Sequence, residues 1–335
     1  MIERPLVSII VIFLNAERFI EEAIESVFAQ SYDHWELLLV DDGSTDRSTE
    51  IAQNYAREYP GKLRYVEHAG HQNHGAAASR NVGILHSQGK YLALLDSDDV
   101  WLPHKLEKQV AILESNPEIG MTFGTSHYWY GWTGNPEDAE RDYMPSFRFE
   151  TDVLIKPPDL MTLCYPLGKS PAPCPSDLVL RRDLAESIGG FEESFTGVYQ
   201  LYEDQAFLTK VYLKAPVYVT GGCWDKYRIH PDSCVSTVTR AGLYNSIRLR
   251  FLNWLENYLT EQGIDDAEVW LALQRELRSA RYYASFRYRV IDQSISRMKE
   301  WAKAVARRAL PSPAHQSLRS YWHRYRQSRQ SENSY

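Results

Sequence analysis

Cysteine is scarce in this chain. Its 335 residues include four, Cys164, Cys174, Cys223 and Cys234, and no two of them form a CxxC pair. That spacing argues against a zinc site and against a disulfide scaffold, and a reducing compartment is the default. Long apolar runs are also missing, since none approaches the roughly 18 residues that span a bilayer. The first residues, Met1-Ile2-Glu3-Arg4-Pro5, lack the basic n-region and the small-residue cleavage site of a signal peptide. The expectation is a cytoplasmic protein, either free or peripheral at the inner face of the cell membrane. No excess of basic charge points to nucleic acid, because the net charge is −7. No GxGxxG follows the first apolar run, which counts against a dinucleotide fold. Internal repeats are absent, and the only biased tract is the Arg/Ser/Gln-rich end after Pro313.

What is present is a series of short buried runs, each followed by a helical pattern. Val7–Leu14 is almost unbroken in apolar character and rich in β-branched residues, as a strand covered on both faces should be. Asn15 is placed to cap a helix over Ala16–Gln30, whose Ile20, Ala23, Ile24, Val27 and Phe28 share one face. Further strands are expected at Trp35–Val40, Leu63–Glu67 and Tyr91–Leu95, alternating with helices. Short strand–helix–strand links imply right-handed parallel crossovers, hence an α/β sheet. Beyond it, Met121–Trp132 reads as a strand, 133–175 as long binding loops, Asp204–Leu213 as a helix, Val217–Thr220 as a strand and about 240–310 as helical.

Two of the strands end in acids: Asp41-Asp42 after the second, and Asp96-Ser97-Asp98-Asp99 after the fourth. Open α/β sheets bind ligands at the C-terminal ends of their strands. Three carboxylates in four positions repel one another unless a positive group joins them, and a divalent cation carrying a phosphate meets that need. A solvated acidic turn is the plain alternative.

Several stretches, in this order, resemble the family 2 glycosyltransferases: Val7-Ser8-Ile9-Ile10-Val11, Val40-Asp41-Asp42-Gly43-Ser44-Thr45-Asp46, Gly75 with Ala78-Ser79-Arg80-Asn81-Val82-Gly83, Leu95-Asp96-Ser97-Asp98-Asp99, Gly189-Gly190-Phe191, Glu203-Asp204 and Tyr227-Arg228-Ile229-His230. The likeness covers about Pro5–Ser236. It implies an α/β protein of GT-A fold, with a mostly parallel Rossmann-like sheet, helices on both faces and a C-terminal helical extension. It also implies an inverting transferase that takes a sugar from a nucleotide-diphospho-sugar, UDP-linked by preference, with Mn²⁺ or Mg²⁺ as cofactor.

The resemblance carries roles residue by residue. Phe13, Asp42, Arg80, Asp96, Ser97 and Asp98 belong to the nucleotide-sugar site, with Asp42 on the base and Asp96 near the ribose. A carboxylate can accept from a uracil imide N–H, and a guanidinium fork suits a phosphate. Asp98 is the expected metal ligand, Asp99 its alternative, and His230 a neighbour of the metal or diphosphate. Asp204 is the expected base on the acceptor hydroxyl and Glu203 its support. A helix-capping turn is the alternative for Asp42 and suffices for Asp46; capping is also the alternative for an acid at 204, and an ordinary ion pair for Arg80. His68, His71 and His74 have no zinc-like partners. Trp101, Trp129, Tyr130, Trp132 and Trp224 could form a sugar platform or pack in the core.

The QxxRW signature of processive members is missing, as Gln274-Arg275-Glu276-Leu277-Arg278 does not match it, so one sugar per encounter is expected. The anticipated organisation is a transferase domain over 1–238, split into a nucleotide-binding half (1–115) and an acceptor half (116–238), then a helical extension over 239–312 and a flexible basic tail over 313–335. Residues 285–335 hold eleven Lys/Arg against three acids. That imbalance suggests contact with an anionic membrane surface, or self-association through the C-terminal helices. The acceptor is expected to be a glycan or a lipid-linked sugar. A phosphotransferase or nucleotidyltransferase, and a non-catalytic nucleotide-sugar-binding module, are the rival readings.

Overall fold

The computed structural model describes residues 4–284. The chain divides into two units, 1–280 and 281–335, and the elements that build the site belong to the first. The basic segment 285–335, with the tail expected over 313–335 and most of the end of the extension, lies outside the described residues.

Strands β1 (Val7–Phe13), β2 (Trp35–Asp41), β3 (Leu63–Glu67) and β4 (Tyr91–Asp96) are parallel neighbours in the order β3-β2-β1-β4. The sheet then continues through β8 (Val179–Arg181), β6 (Met121–Trp129), β9 (Val217–Arg228) and β5 (Val100–Trp101), with β7 (Val153–Ile155) also paired to β9. Beyond β4 the pairing is mixed: β8 runs antiparallel to both β4 and β6, whereas β6 and β9 are parallel. The mostly parallel sheet expected from sequence therefore holds for the first half alone. The helices are α1 (Ile20–Phe28), α2 (Ser48–Glu58), α3 (Ala76–His86), α4 (Lys105–Ser115), α5 (Pro136–Ala139), α6 (Leu160–Leu163), α7 (Arg182–Ser187), α8 (Glu203–Lys214), α9 (Cys234–Arg240), α10 (Tyr244–Glu261) and α11 (Ala267–Ala284).

Period two explains why the early strands read as unbroken apolar runs. Val7, Ile9, Val11, Leu37, Leu39, Ala93 and Leu95 enter one core with Ile20, Ala23, Ile24 and Val27 of α1 and Leu106, Val110 and Leu113 of α4. Ile10, Leu38, Val40, Leu92 and Leu94 enter the other, with residues of α3, α8, α10 and α11. At Gly83 of α3 a Cβ would come within 2.4 Å of Ile10 Cγ2, so only glycine lets this helix lie so close to β1.

Three expectations need correction. Asn15 does not cap α1, which begins at Ile20; it has a positive φ of 52° and accepts from Thr45 N at 2.7 Å. Residues 133–175 are not uniformly loop, since they carry the single-turn helices α5 and α6 and the strand β7. The last strand is far longer than Val217–Thr220. Gly221-Gly222 read as a strand end, yet β9 runs through them for 12 residues. There Gly124 of β6 meets Gly222 so closely that a Cβ on Gly124 would lie 2.2 Å from the Gly222 carbonyl oxygen, and the register shifts around Thr125. Glycines that usually punctuate here serve close backbone approach at a bulge.

Candidate active site

The parallel register sets Phe13 beside Asp41 and Ile12 beside Asp96, so three strands end on one line. A cleft of about 410 Å³ opens at this C-terminal edge. Phe13, Asp42, Arg80, Asp96, Ser97, Asp98, Glu203, Asp204 and His230 all line it. Asp99 does not.

The loops that follow β1 and β2 are laced together. Ser44 Oγ accepts from Asn15 N at 3.0 Å, Ser48 Oγ from Ala16 N at 2.8 Å and Asp46 Oδ2 from Glu17 N at 3.0 Å. Asp46 also accepts from Ser48 N, at the start of α2, through Oδ1 at 2.9 Å. Asp42 is buried. Its Oδ1 accepts from His74 N at 2.8 Å and Gly75 N at 3.1 Å, and Oδ2 from Gly75 N at 3.1 Å, so the carboxylate grips the entry to α3 while facing the cleft. The His68 ring packs against that of His74, centroids 4.6 Å apart, and its Nε2 meets Ser79 Oγ at 2.9 Å.

Arg80 projects from α3 between the two halves of the site. Its side chain is 4% exposed, pairs with Asp96 Oδ1 at 2.5 Å through one amino group and bonds Glu203 Oε1 through the other. An arginine fork holds two carboxylates at once in a way a lysine does not. Glu203 Oε2 is buried with no hydrogen-bond partner among the described residues. The next residue, Asp204, accepts from Gln205 N at 2.7 Å and Gln205 Nε2 at 3.2 Å. Burial pushes its carboxyl up to about 6, against the opposing pull of the Gln205 bonds and Arg80.

The acidic turn after β4 splits by direction. Asp96 faces Arg80. Asp98 opens to the cleft, 31% exposed, with Oδ2 2.9 Å from His230 Nε2. Asp99, the alternative metal ligand, turns inward at 1% exposure. Its Oδ2 accepts from Ser176 Oγ at 2.5 Å and its Oδ1 from Arg228 N at 2.8 Å. Ser176 Oγ in turn accepts from Asp96 N at 3.0 Å, so one hydroxyl ties both ends of the turn. Arg228 also donates through Nε to the Asp98 carbonyl at 2.6 Å.

Among the described residues no group of three or more His, Cys, Asp or Glu is set to cage a metal. Magnesium-like ions commonly use one or two protein ligands and complete their shell with substrate phosphate and water. Asp98 fits that pattern as a partly exposed carboxylate at the cleft. His230 beside it has a buried Nδ1 without a partner among the described residues. Asp99 does not fit, because its oxygens are engaged away from the cleft.

None of the tryptophans considered as a sugar platform lines the cleft, whose aromatic rings are Phe13, Phe19 and Tyr227. Trp101 is core, its Nε1 donating to the Ser176 carbonyl at 2.7 Å. Trp129 and Trp132 flank the Arg228 guanidinium at 4.6 and 5.3 Å, with Phe19 at 4.8 Å, and Glu22 pairs with it at 2.6 Å. These rings hold a buried cation under the acidic turn. Ser176 and Arg228 are the residues that sequence reading passed over. Arg228 stood inside a quoted motif, but nothing in the sequence signals that its backbone N–H meets Asp99.

Residues 8–188 match the model of Glycosyl transferase family 2, and the chain belongs to that family. It is similar to the putative glycosyltransferase EpsE of Bacillus subtilis, 44% identical over 112 residues, which are 33% of this chain and 40% of that one. It is also similar to the Escherichia coli UDP-Glc:alpha-D-GlcNAc-diphosphoundecaprenol beta-1,3-glucosyltransferase WfgD, 40% identical over 119 residues, 36% and 45% of the two chains. These matches span less than half the length of the relatives. Among solved structures, Staphylococcus aureus TarS 1–349 superposes with a TM-score of 0.56 at 20% identity, covering 83% of this chain and 72% of that one. The mannosyltransferase PcManGT of Pyrobaculum calidifontis, in complex with GDP-Man and Mn²⁺, gives 0.53 at 19% identity, covering 96% and 81%. At such identities the likeness is one of fold, the GT-A fold. Among the described residues no helix is long and apolar enough to cross a membrane.

Proposed function

We propose that this chain transfers a single sugar from a nucleotide-diphospho-sugar to an acceptor hydroxyl with inversion. The observation that carries the reading is the meeting of a strand-end acidic turn and Asp204 in one cleft, joined by Arg80. Phe13, Asp42, Arg80, Asp96 and Ser97 form the donor side, with Asp42 toward the base. A UDP-sugar is the favoured donor, in keeping with the donor named for WfgD and with TarS bound to UDP-GlcNAc.

Asp204 is the base. With a carboxyl near pH 6 it is ionised at neutral pH yet more basic than an ordinary aspartate, which suits proton removal. It takes the hydroxyl proton of the acceptor, the oxygen attacks the anomeric carbon, and the bond from that carbon to the diphosphate breaks. Glu203, clamped by Arg80, holds the first turn of α8 in place. Asp98 would hold a Mn²⁺ or Mg²⁺ ion, with His230 beside it. When bound, such a cation supplies positive charge to the departing diphosphate.

The acceptor is proposed to be a glycan or lipid-linked sugar of the cell envelope. That matches the name of WfgD and that of the putative teichuronic acid biosynthesis glycosyltransferase TuaG of Bacillus subtilis, 43% identical over 111 residues. The basic segment 285–335 is proposed to meet anionic lipid, which sedimentation with phosphatidylglycerol vesicles at low and high salt tests. The transfer reading itself is tested with purified protein, a panel of nucleotide sugars and an acceptor library. Asp204→Asn should abolish transfer while UDP binding persists, and EDTA should suppress transfer. Transfer unchanged by either treatment would remove that part of the assignment.

A further inference from the structure

Helices α10 and α11 lie beyond the family match at 8–188, and neither lines the cleft. They nevertheless meet the residue that leads into α8. Tyr202 precedes Glu203-Asp204 and is 1% exposed. Its ring stacks on Phe251 of α10, centroids 4.8 Å apart and planes 20° from parallel. Its hydroxyl bonds that of Tyr165, and the Tyr165 hydroxyl lies 2.7 Å from that of Tyr244, also on α10. Tyr244, Arg248 and Phe251 are spaced i, i+4, i+7 and so occupy one face of the helix. Arg248 sits 6.0 Å from the Tyr165 ring and pairs with Glu276 of α11 at 2.6 Å. Arg275 of α11 donates to the Leu167 carbonyl at 2.7 Å, tying the same loop from the other side.

The need for such a hold is visible in the chain before it. Residues 189–201 have a loop and a 3-10 turn, with positive φ at Gly189, Gly190 and Gly197, and this stretch alone would not fix where α8 begins. Tyr202 makes no side-chain capping bond to the helix it precedes. Its ring and hydroxyl are anchored instead by α10 and by Tyr165.

We infer that α10 is a positioning element for the base, acting through the Tyr244–Tyr165–Tyr202 hydroxyl chain and the Phe251–Tyr202 stack, and that it sets turnover without contributing to donor affinity. The inference rests on the assignment of Asp204 above. Phe251 and Tyr244 are positioning residues because neither lines the cleft.

The test uses the full chain with Tyr244→Phe, Phe251→Leu and Asp204→Asn, each checked for folding by circular dichroism and melting temperature. Phe251→Leu should lower kcat by about tenfold to a hundredfold, as a displacement of the order of 1 Å does to a reacting group. Tyr244→Phe should lower it less. In both, KM for the nucleotide sugar and the thermal shift given by UDP should stay at wild-type values. A kcat at the wild-type level in both folded variants, with Asp204→Asn inactive, overturns the inference and leaves the base assignment standing. A joint change in kcat and donor KM also overturns it, because that is what general loosening of the fold produces. Full activity in Asp204→Asn overturns the base assignment itself. If Phe251→Leu does not fold, Tyr244→Phe, which keeps the ring and removes a partly exposed hydroxyl, decides the question alone.

Discussion

The hydroxyl of Ser176 donates to Asp99 Oδ2 at 2.5 Å while accepting from Asp96 N, so a residue 77 positions downstream closes the acidic turn from below. Asp99 is thereby occupied in holding the turn, and Asp98 alone of the pair reaches the cleft. Ser176→Ala leaves Asp99 Oδ2 with only the weak Cys174 thiol donor at 3.6 Å, and the half-buried Asp96 N–H without its partner. Such losses cost about 1–3 kcal/mol each. The expected outcome is a lower melting temperature and a several-fold rise in the Mn²⁺ concentration giving half-maximal activity. Manganese binding followed by electron paramagnetic resonance checks the second effect without relying on turnover.

Asp204 couples activity to stability in opposite directions. Its carboxyl rises from an ordinary 3.8 to about 6 in the folded protein, mainly through burial. Below about pH 4 the group is neutral in both states and has no effect. Between about 4 and 6 the unfolded chain releases its proton first, so folding stability falls as pH rises, and the deficit persists above 6. kcat should fall as pH drops through about 6, where the base takes up its proton. Asp204→Asn should melt higher than wild type at pH 8 and equal to it near pH 3.5. Thermal melts of both proteins across that range measure the difference, and an equal gap at both ends would contradict the shifted carboxyl.

Arg80 is nearly buried between Asp96 and Glu203. Arg80→Ala leaves two carboxylates without their cation, and breaking a buried pair in this way costs about 3–5 kcal/mol. Arg80→Lys keeps one charge but cannot fork, so it should recover less than half of that loss and little of the donor affinity. Urea unfolding and UDP titration calorimetry report the two effects separately.

Gly83 offers a control outside the cleft lining. Gly83→Ala forces a methyl into Ile10, and overpacking of this kind costs about 1–3 kcal/mol. Donor KM in the folded fraction should be unchanged.

The first half of the fold was legible because both faces of β1, β2 and β4 are buried, which makes hydrophobicity continuous and unmistakable. The acids at their ends were legible for the same reason, since polar residues stand out against such runs. Ser176 and Arg228 were not, because they act through a hydroxyl and a backbone N–H that long-range pairing brings to Asp99. β9 was cut short because Gly221-Gly222 carry the signature of a turn, and only the presence of Gly124 across from them reveals a tight crossing. Asn15 misled for a related reason. Its side chain serves Thr45, thirty residues away, in place of its own helix.

β9 has a consequence for how this protein can diverge. The same twelve residues pair with β6 at Val217–Val219, Cys223 and Lys226–Arg228, with β7 at Val217–Val219 and with β5 at Asp225–Lys226, and then deliver Arg228 to Asp99. Between Cys223 and Lys226 β9 carries one residue more than the β6 segment it faces, so removal of a single residue there takes away that bulge and the alignment that carries Arg228 to Asp99. Substitutions along this strand are negotiable, but its length is not. Natural insertions and deletions should therefore collect in 133–175, and a grafted acceptor loop should be joined on either side of β9 and never within it.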